Sequence, residues 1–436
     1  MIEETKRLIA AGVKIITEAT FSYNGNFCIV DILRKAENSY EIIEVKSSAG
    51  SEDNQEDDIN PVYYSDMSYQ YYVVTNSGLD IIKVSLMQLN RDYYRMRDLD
   101  IHQLFTVTDC TKAVLALQND IADNIDYIKA IATQKNEPDE TIGSRCDNPY
   151  ECGYKGWCFR NLPKNNIFEI GWSMWGSRKD AAYSAGIITF KDCLNGDVRL
   201  TEKQIRQVIT EVRDAPPHIN KSALREFLTT VKYPLYYLDF ETYQQPIPLW
   251  DHVSPYMQIP FQYSLHIQND RDSLLFHKEF LGKEGIDPRR ELAERLCSDI
   301  PENVCVIAYN MGFEKSQIKR LAGLFPDLSG HLMSIHDNMI DLIVPFRSGM
   351  YYCRGMGGGY SIKNVLPALC GDDTELDYKK LGLVQHGGDA MNAYATLHEQ
   401  PPEEIEKIRA ALLAYCKLDT LAMVKILEKL YEAAEA

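Results

Sequence analysis

The alternation of apolar and polar positions predicts a buried strand at the start of the carboxy-terminal half. Residues 236–240 are apolar or aromatic except for Asp239, and a turn follows Glu241. Side chains in a strand repeat with period two, so Asp239 and Glu241 point to the same side. Two like charges so close are costly to bury unless a cation lies between them. Oxygen ligands favour Mg²⁺ or Mn²⁺; the alternative is a strand end with two solvated acids.

The pattern after this strand predicts a mixed series of strands and helices. The expected strands cover 261–267, 274–280 and 304–309, and the expected helices cover 288–296, 315–324 and several segments towards the end. Asn310 is a candidate helix cap, and Glu314 falls in the first helical turns, where its charge suits the helix dipole. Tyr415 and Asp419 are four residues apart in a helical stretch, so they share a face. Asp341 is either a helix cap or a further acid near the metals.

The amino-terminal half is predicted to begin with strands. The expected elements are a helix over 4–11, strands over 13–16, 21–34 and 39–46, a helix over 61–75 and a strand over 79–89. A turn is expected near Glu37 and Asn38. The alternation of the third strand places Glu44 and Lys46 on one face, and Asp31 lies near the end of the preceding strand.

Asp31, Glu44 and Lys46 resemble the active-site residues of PD-(D/E)XK nucleases. The resemblance implies that the two acids hold Mg²⁺ and that the lysine positions or deprotonates the attacking water. Asp66 and Gln70 share a helix face, and the glutamine resembles one that RecB-type nucleases carry beside the metal. A solvated helix face is the alternative for this pair.

Three cysteines at spacings of six follow an amphipathic helix expected over 111–135. Cys146, Cys152 and Cys158 lie among Pro, Gly and aromatic residues, which indicates metal ligands on a loop rather than core thiols. The spacing matches neither a zinc ribbon nor a ferredoxin. Residues 161–230 form a less regular connector, with helices expected over 201–213 and 221–230 and Asn220 or Ser222 as the cap of the second.

Composition narrows the class of protein. The chain has 436 residues, 45% of them hydrophobic, and a net charge of −17, which argues against a protein that coats nucleic acid through its whole surface. The net negative charge does not exclude a nuclease, because a basic groove can be local. No apolar run is long enough for a membrane span, and the first residues lack a secretory core, so a cytoplasmic location is expected.

The cysteine loop resembles the last three cysteines of RecB-family nucleases with an iron–sulfur cluster, including the CRISPR-associated adaptation nucleases. That family implies a 4Fe-4S cluster, with Zn²⁺ as the alternative. Its fourth cysteine and a metal-binding histidine precede the nuclease core, and neither occurs there in this sequence. We therefore expect an incomplete site, with a truncated amino end favoured over a ligand from Cys28 or Cys110, or loss of the cluster.

The carboxy-terminal pattern resembles the DEDD exonucleases of the tyrosine branch, the DnaQ-like 3′→5′ exonucleases. The motif is Asp239-x-Glu241, then Asn-x-x-Phe-Glu314, then Tyr415-x-x-x-Asp419, over about 180 residues. The resemblance implies that the four acids bind two divalent metals and that Tyr415 orients the attacking water. Glu314 departs from the aspartate usual at its position, and this puts the two-metal geometry in question.

The whole chain resembles an uncharacterised bacterial family that fuses the two nucleases, through its Ser-Ile-Lys-x-Val-Leu-Pro and Tyr-Cys-x-x-Asp-Thr runs. The expected fold class is α/β (α+β): a PD-(D/E)XK domain over 1–160, a connector over 161–230 and a ribonuclease-H-like exonuclease domain over 231–436. The expected function is a metal-dependent nuclease, with DNA favoured over RNA as the partner. The alternative is a nucleic-acid-binding or scaffold protein whose sites have decayed.

Overall fold

The computed structural model describes residues 1–50, 59–371, 376 and 380–435, and it has the mixed α/β character that the sequence predicts. The chain forms two compact units. The first contains Met1–Thr141 and Gln245–Met257, and the second contains Ile142–Gln244 and Gln258–Ala436. The finer domain limits of the sequence analysis stay predictions.

The first unit is built on a five-stranded mixed sheet with strand order β1-β2-β3-β4-β5. Its strands are β1 Ile15–Tyr23, β2 Asn26–Lys35, β3 Tyr40–Gly50, β4 Ile81–Asn90 and β5 Phe105–Asp109. Its helices are α1 Ile2–Ala10, α2 Pro61–Asn76, α3 Thr111–Ala116 and α4 Gln118–Ala132. Only the β3–β4 pair of this sheet is parallel, because α2 carries the chain across between those two strands.

Two sequence-based element limits in this unit are wrong. The strand predicted over 21–34 is the end of β1 and most of β2, because a turn at Asn24 and Gly25 intervenes. Both residues have positive φ, which their types tolerate better than most. The helix predicted over 111–135 is divided at Leu117 into α3 and α4.

The second unit opens with helices. They are α5 Lys155–Cys158, α6 Gly176–Ser184, α7 Phe190–Asn195, α8 Glu202–Arg213 and α9 Lys221–Leu228. The predicted cap of α9 is confirmed, since the Asn220 side chain accepts a hydrogen bond from the Ala223 N–H at 3.2 Å. A short strand, β6 His218–Ile219, precedes α9 and pairs with a later strand.

The sheet of the second unit is mixed, with strand order β11-β10-β7-β8-β9. The strands are β7 Leu235–Tyr243, β8 Ile259–Gln268, β9 Leu275–Leu281, β10 Cys305–Ala308 and β11 Met339–Asp341, and β12 Tyr351–Tyr352 pairs with β6. The helices are α10 Arg289–Asp299, α11 Gly312–Leu324, α12 Ser329–Asp337, α13 Val344–Arg347, α14 Ile362–Cys370, α15 Gly387–Ala395 and α16 Pro402–Glu435. The central strand β7 is antiparallel to β8 and parallel to β10.

Both faces of β7 are buried, and they meet different helices. Leu235 and Tyr237 pack in a core that includes residues of α16, whereas Leu238 and Phe240 pack in a core formed with α10, α11 and α12. A strand buried on both faces has a nearly continuous apolar sequence, as residues 235–243 do apart from the two acids and Thr242.

No helix in the described ranges is long and apolar enough to cross a membrane.

Candidate functional site

The two acids of β7 point towards α16. Asp239 and Glu241 continue the alternation that begins with Leu235 and Tyr237, so they lie on the side of β7 that faces α16. They are therefore held at the end of a buried strand, beneath a long helix.

Three contacts fasten α16 against the sheet. The Gln262 Nε2 donates to the Leu412 carbonyl at 2.8 Å, and the hydroxyls of Ser264 and Thr420 are 2.7 Å apart. Ser264 is the residue of β8 directly opposite Asp239. Cys416 Sγ lies 3.7 Å from Asp239 Oδ2. These contacts fix the rotation of α16.

Asp239, Glu241 and Asp419 converge. One carboxylate oxygen from each lies within 4.8 Å of one from each of the others. Burial, Asp419 and Glu314 raise the pKa of Glu241 to about 8, against an opposing effect of Lys363. Burial, followed by repulsion from the neighbouring acids, raises the pKa of Asp239 well above its usual range. The three side chains form an acidic triad suited to a cation.

Glu314 lies beside this triad but is not one of the three converging residues. It is 3% exposed, and its Oε2 has no hydrogen-bonding partner among the described residues. Burial and Asp341 raise the pKa of Glu314 to about 8. Glu314 in turn raises the pKa of Asp239 and that of Glu241, so its negative charge repels both acids of β7.

Asp341 holds the turn that leads into α11. Its Oδ1 accepts the N–H of Asn310 at 2.8 Å and that of Ile343 at 3.2 Å, and Arg347 Nη2 lies 3.3 Å from its Oδ2. The prediction that Asn310 caps the helix is wrong. Asn310 has a φ of 66°, and Met311 occupies the cap position without a side-chain hydrogen bond, because Asn310 belongs to the turn that Asp341 fixes.

Tyr415 is 4% exposed and lies one helical turn before Asp419. Burial, followed by the charges of Asp419, Glu241 and Asp239, raises the pKa of its phenol above the usual value. The side chain therefore stays neutral and can donate a hydrogen bond beside the acids.

Sequence reasoning missed two residues of this site. Gln262 is fully buried and positions α16, and its signal in the sequence is a polar residue inside an otherwise apolar strand. Lys363 influences Glu241, although the two residues are far apart in the sequence. Lys363 lies in the Ser-Ile-Lys run, which carries a family resemblance but predicts no role in the site.

The first unit contains a separate polar cluster. Lys46 Nζ lies 2.6 Å from Glu44 Oε1 and 2.6 Å from Asp66 Oδ2. Gln70 Nε2 donates to Glu44 Oε2 at 2.7 Å and to Asp66 Oδ1 at 3.3 Å. Gln70 is 4% exposed, so the solvated-face alternative does not apply to it. Burial is the largest cause of the raised pKa of Glu44, and the bonds from Lys46 and Gln70 oppose it.

Asp31 lies at the side of this cluster. Its Oδ2 accepts the Val45 N–H at 2.7 Å, and its charge contributes to the raised pKa of Glu44. Among the described residues, Asp31, Glu44 and Asp66 do not converge as closely as the triad of the second unit. Lys46 bridges two of these acids instead.

The three cysteines of the loop are free thiols. Cys152 and Cys158 are exposed and Cys146 is half-buried. Within the described part of the chain their sulfurs do not form a compact three-ligand group, so metal binding there stays a prediction. Cys28 and Cys110, the alternative fourth ligands, are core thiols of the first unit; burial, then Asp66 and Glu44, raises the pKa of Cys28 to about 12.

Comparison with protein families gives a match in the carboxy-terminal half of the chain. Residues 236–361 match the model of a domain of unknown function, DUF2779. The match includes Asp239, Glu241 and Glu314 and ends before α16, which carries Tyr415 and Asp419. No curated protein matches the chain.

Proposed function

We propose that the second unit is a metal-dependent nuclease that removes nucleotides from the 3′ end of single-stranded nucleic acid. The observation that carries this proposal is the convergence of Asp239 and Glu241, on one strand, with Asp419, on a helix distant in sequence. A buried group of three acids is costly without a compensating charge. The order of the motifs along the sequence and the mixed sheet of the second unit, with strand order β11-β10-β7-β8-β9, support the same proposal.

The residues present fit Mg²⁺ or Mn²⁺. All three converging donors are carboxylates, which these ions prefer. The raised pKa of Glu241 arises partly from repulsion by Asp419, and a divalent cation relieves such repulsion. The buried Oε2 of Glu314 has no partner among the described residues, and its longer side chain suits a ligand role at the edge of the triad.

When bound, divalent ions supply positive charge that stabilises the entering and leaving oxygens of a phosphoryl displacement. The chain itself supplies orientation. Tyr415, held neutral, donates a hydrogen bond that places the attacking water. Gln262 and Thr420 keep α16 in the rotation that presents Tyr415 and Asp419 to β7.

The test is nucleotide release from a 3′-labelled single strand in Mn²⁺. Asp239→Asn is expected to reduce the rate of nucleotide release by a factor on the order of 100 or more, because the loss of one transition-state contact raises the barrier by about a few kcal/mol. Glu432→Gln, on the exposed end of α16, is the control and keeps the wild-type rate. Equal rates for Asp239→Asn and the wild type would contradict the proposal.

A second site is proposed in the first unit, because Lys46, Glu44 and Gln70 form a hydrogen-bonded network with Asp66. In a PD-(D/E)XK nuclease, Asp31 and Glu44 would hold Mg²⁺. Lys46 would orient the attacking water and offset developing charge. Burial lowers the pKa of Lys46, but its hydrogen bonds to Asp66 and Glu44 raise that pKa by more. The ammonium therefore stays charged.

Nicking of a circular single strand, which has no ends, isolates this second site. In an Asp239→Asn background, Lys46→Ala is expected to abolish nicking, whereas Lys83→Ala, on the neighbouring strand β4, is expected to leave it intact. Nicking that persists in Lys46→Ala would show that the site is elsewhere.

The cysteine loop is proposed to bind a 4Fe-4S cluster or Zn²⁺. The absorbance spectrum of anaerobically purified protein distinguishes iron–sulfur from zinc. The rival to both nuclease proposals is a nucleic-acid-binding protein with decayed sites. It predicts strand binding without hydrolysis in Mn²⁺ or Mg²⁺ by the wild type.

A further inference from the structure

A row of buried polar side chains lies on the face of β8 that α16 covers. Every second residue of the strand belongs to it, and each member is at most 6% exposed: Gln262, Ser264, His266 and Gln268. Side chains at alternate positions share one face of a strand. Burying polar groups is costly unless each has a hydrogen-bonding partner, and apolar residues would cover a helix at a lower cost. The row therefore needs an explanation other than apolar packing against α16.

Thr420 is the residue of α16 that meets this row. Its hydroxyl oxygen lies 2.7 Å from His266 Nδ1 and 2.7 Å from Ser264 Oγ. On the other side of the row, His277 Nε2 of β9 lies 3.0 Å from the same Ser264 Oγ. A hydroxyl has one proton and two lone pairs, so Thr420 can bond to both neighbours at once. The carbonyl of Lys417, one turn earlier in the helix, is farther away at 3.1 Å. The sheet therefore holds α16 by one buried hydroxyl.

This hydroxyl fixes the direction of a metal ligand, because Thr420 and Asp419 are consecutive residues of one helix. Successive side chains of a helix are about 100° apart, and their ends lie about 5 Å from its axis, so a rotation of about 10° moves a carboxylate by about 1 Å. Metal–ligand distances hold to within about 0.2 Å. Apolar packing is not directional, whereas hydrogen bonds are. The bonds to Thr420 can therefore supply the precision that a cation requires.

We propose that His266 is a positioning residue of the metal centre, which holds the Asp419 carboxylate towards β7 through the hydroxyl of Thr420. This proposal rests on the cation site of the proposed function. It adds a role for a residue that touches neither the cation nor the strand. Loss of a group that orients a metal ligand typically lowers metal affinity by about 10- to 100-fold. The effect of His266 should therefore appear in metal binding itself, before any reaction.

Mn²⁺ binding to the full-length protein, followed by electron paramagnetic resonance without nucleic acid, tests the proposal. Binding that is lost in Asp419→Asn identifies the triad. Thr420→Val keeps the shape of the side chain and removes the hydroxyl, and it is expected to weaken this binding about tenfold. His266→Phe is expected to do the same. Thr420→Ser keeps the hydroxyl and should bind Mn²⁺ within about threefold of wild type.

The double variant, His266→Phe with Thr420→Val, shows whether the two residues act through one bond. If they do, it should bind Mn²⁺ no more weakly than the weaker of the two single variants, because their effects are then not additive. Effects of the two substitutions that multiply in full would contradict the proposal.

Gln268→Leu is the matched control for a purely structural role. Gln268 lies in the same row and is equally buried, but it accepts the hydroxyl of Tyr237 at 3.1 Å, on β7 instead of α16. The substitution is expected to lower the melting temperature in EDTA and to leave Mn²⁺ affinity within about twofold of wild type. A loss of affinity in Gln268→Leu as large as that in Thr420→Val would show that any destabilisation weakens the site.

Unchanged Mn²⁺ affinity in folded His266→Phe and Thr420→Val would overturn the proposal, as would a wild type that does not bind Mn²⁺ at the triad. Should His266→Phe not fold, equal affinities of Thr420→Val and Thr420→Ser would overturn it. If Mn²⁺ binding follows the expected pattern but the wild type releases no nucleotides, the proposal stands and the nuclease activity fails. If nucleotides are released and both variants bind Mn²⁺ like wild type, only the role of His266 fails.

Discussion

Asp419→Asn is expected to stabilise the metal-free protein while it abolishes nucleotide release. In the absence of a cation, Asp419 raises the pKa of both Asp239 and Glu241 through repulsion. Asparagine has the same shape and no charge, so the substitution removes the repulsion and keeps the packing. The same change removes one of the three converging ligands.

The size of the effect follows from the pKa of Glu241, which rises from 4.5 to about 8. At about 1.4 kcal/mol per pKa unit, keeping this side chain ionised in the fold costs about 5 kcal/mol. Burial is the largest cause and Asp419 the second. Asp419 is a smaller cause than burial, so its removal recovers a minor part of this cost, on the order of 1 kcal/mol, and relief at Asp239 adds to this.

Stability also depends on pH in a defined direction. A carboxyl whose pKa is raised in the fold binds a proton more tightly there than in the unfolded chain. The stabilisation of the fold by this tighter proton binding is therefore complete below pH 4.5 and is lost as the pH rises through about 8. In EDTA, the wild-type free energy of unfolding should fall over this range, and it should fall less in Asp419→Asn.

Thermal unfolding in EDTA at pH 8.5 measures the effect. The melting temperature of Asp419→Asn is expected to rise by roughly 2 °C, because an unfolding entropy of about 2.1 cal/mol/K per residue gives about 1–2 °C per kcal/mol for a protein of this size. Glu432→Gln, farther along the same helix, is the control and should not differ from wild type. Excess Mn²⁺ should stabilise the wild type more than Asp419→Asn. A lower melting temperature for Asp419→Asn in EDTA, or no effect of Mn²⁺ on the wild type, would refute the reasoning.

Two further predictions concern the second unit. Burial lowers the pKa of His266 to about 3 and that of His277 to about 4. Both stay neutral in the fold but gain protons on unfolding, so their contribution to the free energy of unfolding should fall as the pH drops from 6.5 to 4, opposite in sign to that of the acidic triad. In urea titrations over this pH range, His266→Gln should lose about 1–3 kcal/mol less free energy of unfolding than the wild type. His398→Gln, at an exposed position, is the control, and a decrease in His266→Gln as large as that of the control would contradict the prediction. A Cβ on Gly171 would lie 2.3 Å from the Gly358 carbonyl oxygen, so Gly171→Ala should destabilise by about 2–4 kcal/mol. At Gly323, in helix α11, an added Cβ would meet open space. Gly323→Ala should therefore be neutral or stabilising by up to about 1 kcal/mol in the same denaturation assay. Equal effects of the two alanine substitutions would contradict the packing argument.

Local pattern was sufficient for most elements of the site. The apolar run of β7 and the four-residue spacing of Tyr415 and Asp419 were predicted without knowledge of their neighbours, and both elements form as predicted. The limits that failed, at Asn24–Gly25 and at Leu117, are interruptions of one or two residues within longer periodic segments. Periodicity averages over a window, so it does not detect a break of one or two residues.

Non-local contacts account for what the sequence did not predict. The cap at Asn310 failed because Asp341, on a different strand, draws its backbone into a turn. Whether a polar residue in a strand is exposed or holds a helix in place depends on what packs over it. Gln262 therefore gave only a weak signal before its bond to the Leu412 carbonyl was known.

The sequence by itself determined that two acids end a buried strand and that a tyrosine and a third acid share a helix face, because strand and helix periods are local properties of the backbone. Only the tertiary structure decided which acids meet. The packing of α16 through Gln262 and Thr420 brings Asp419 to Asp239 and Glu241, and the charge of Glu314, on α11, acts on the same acids. Such distances between remote segments depend on side-chain packing, which no local period encodes.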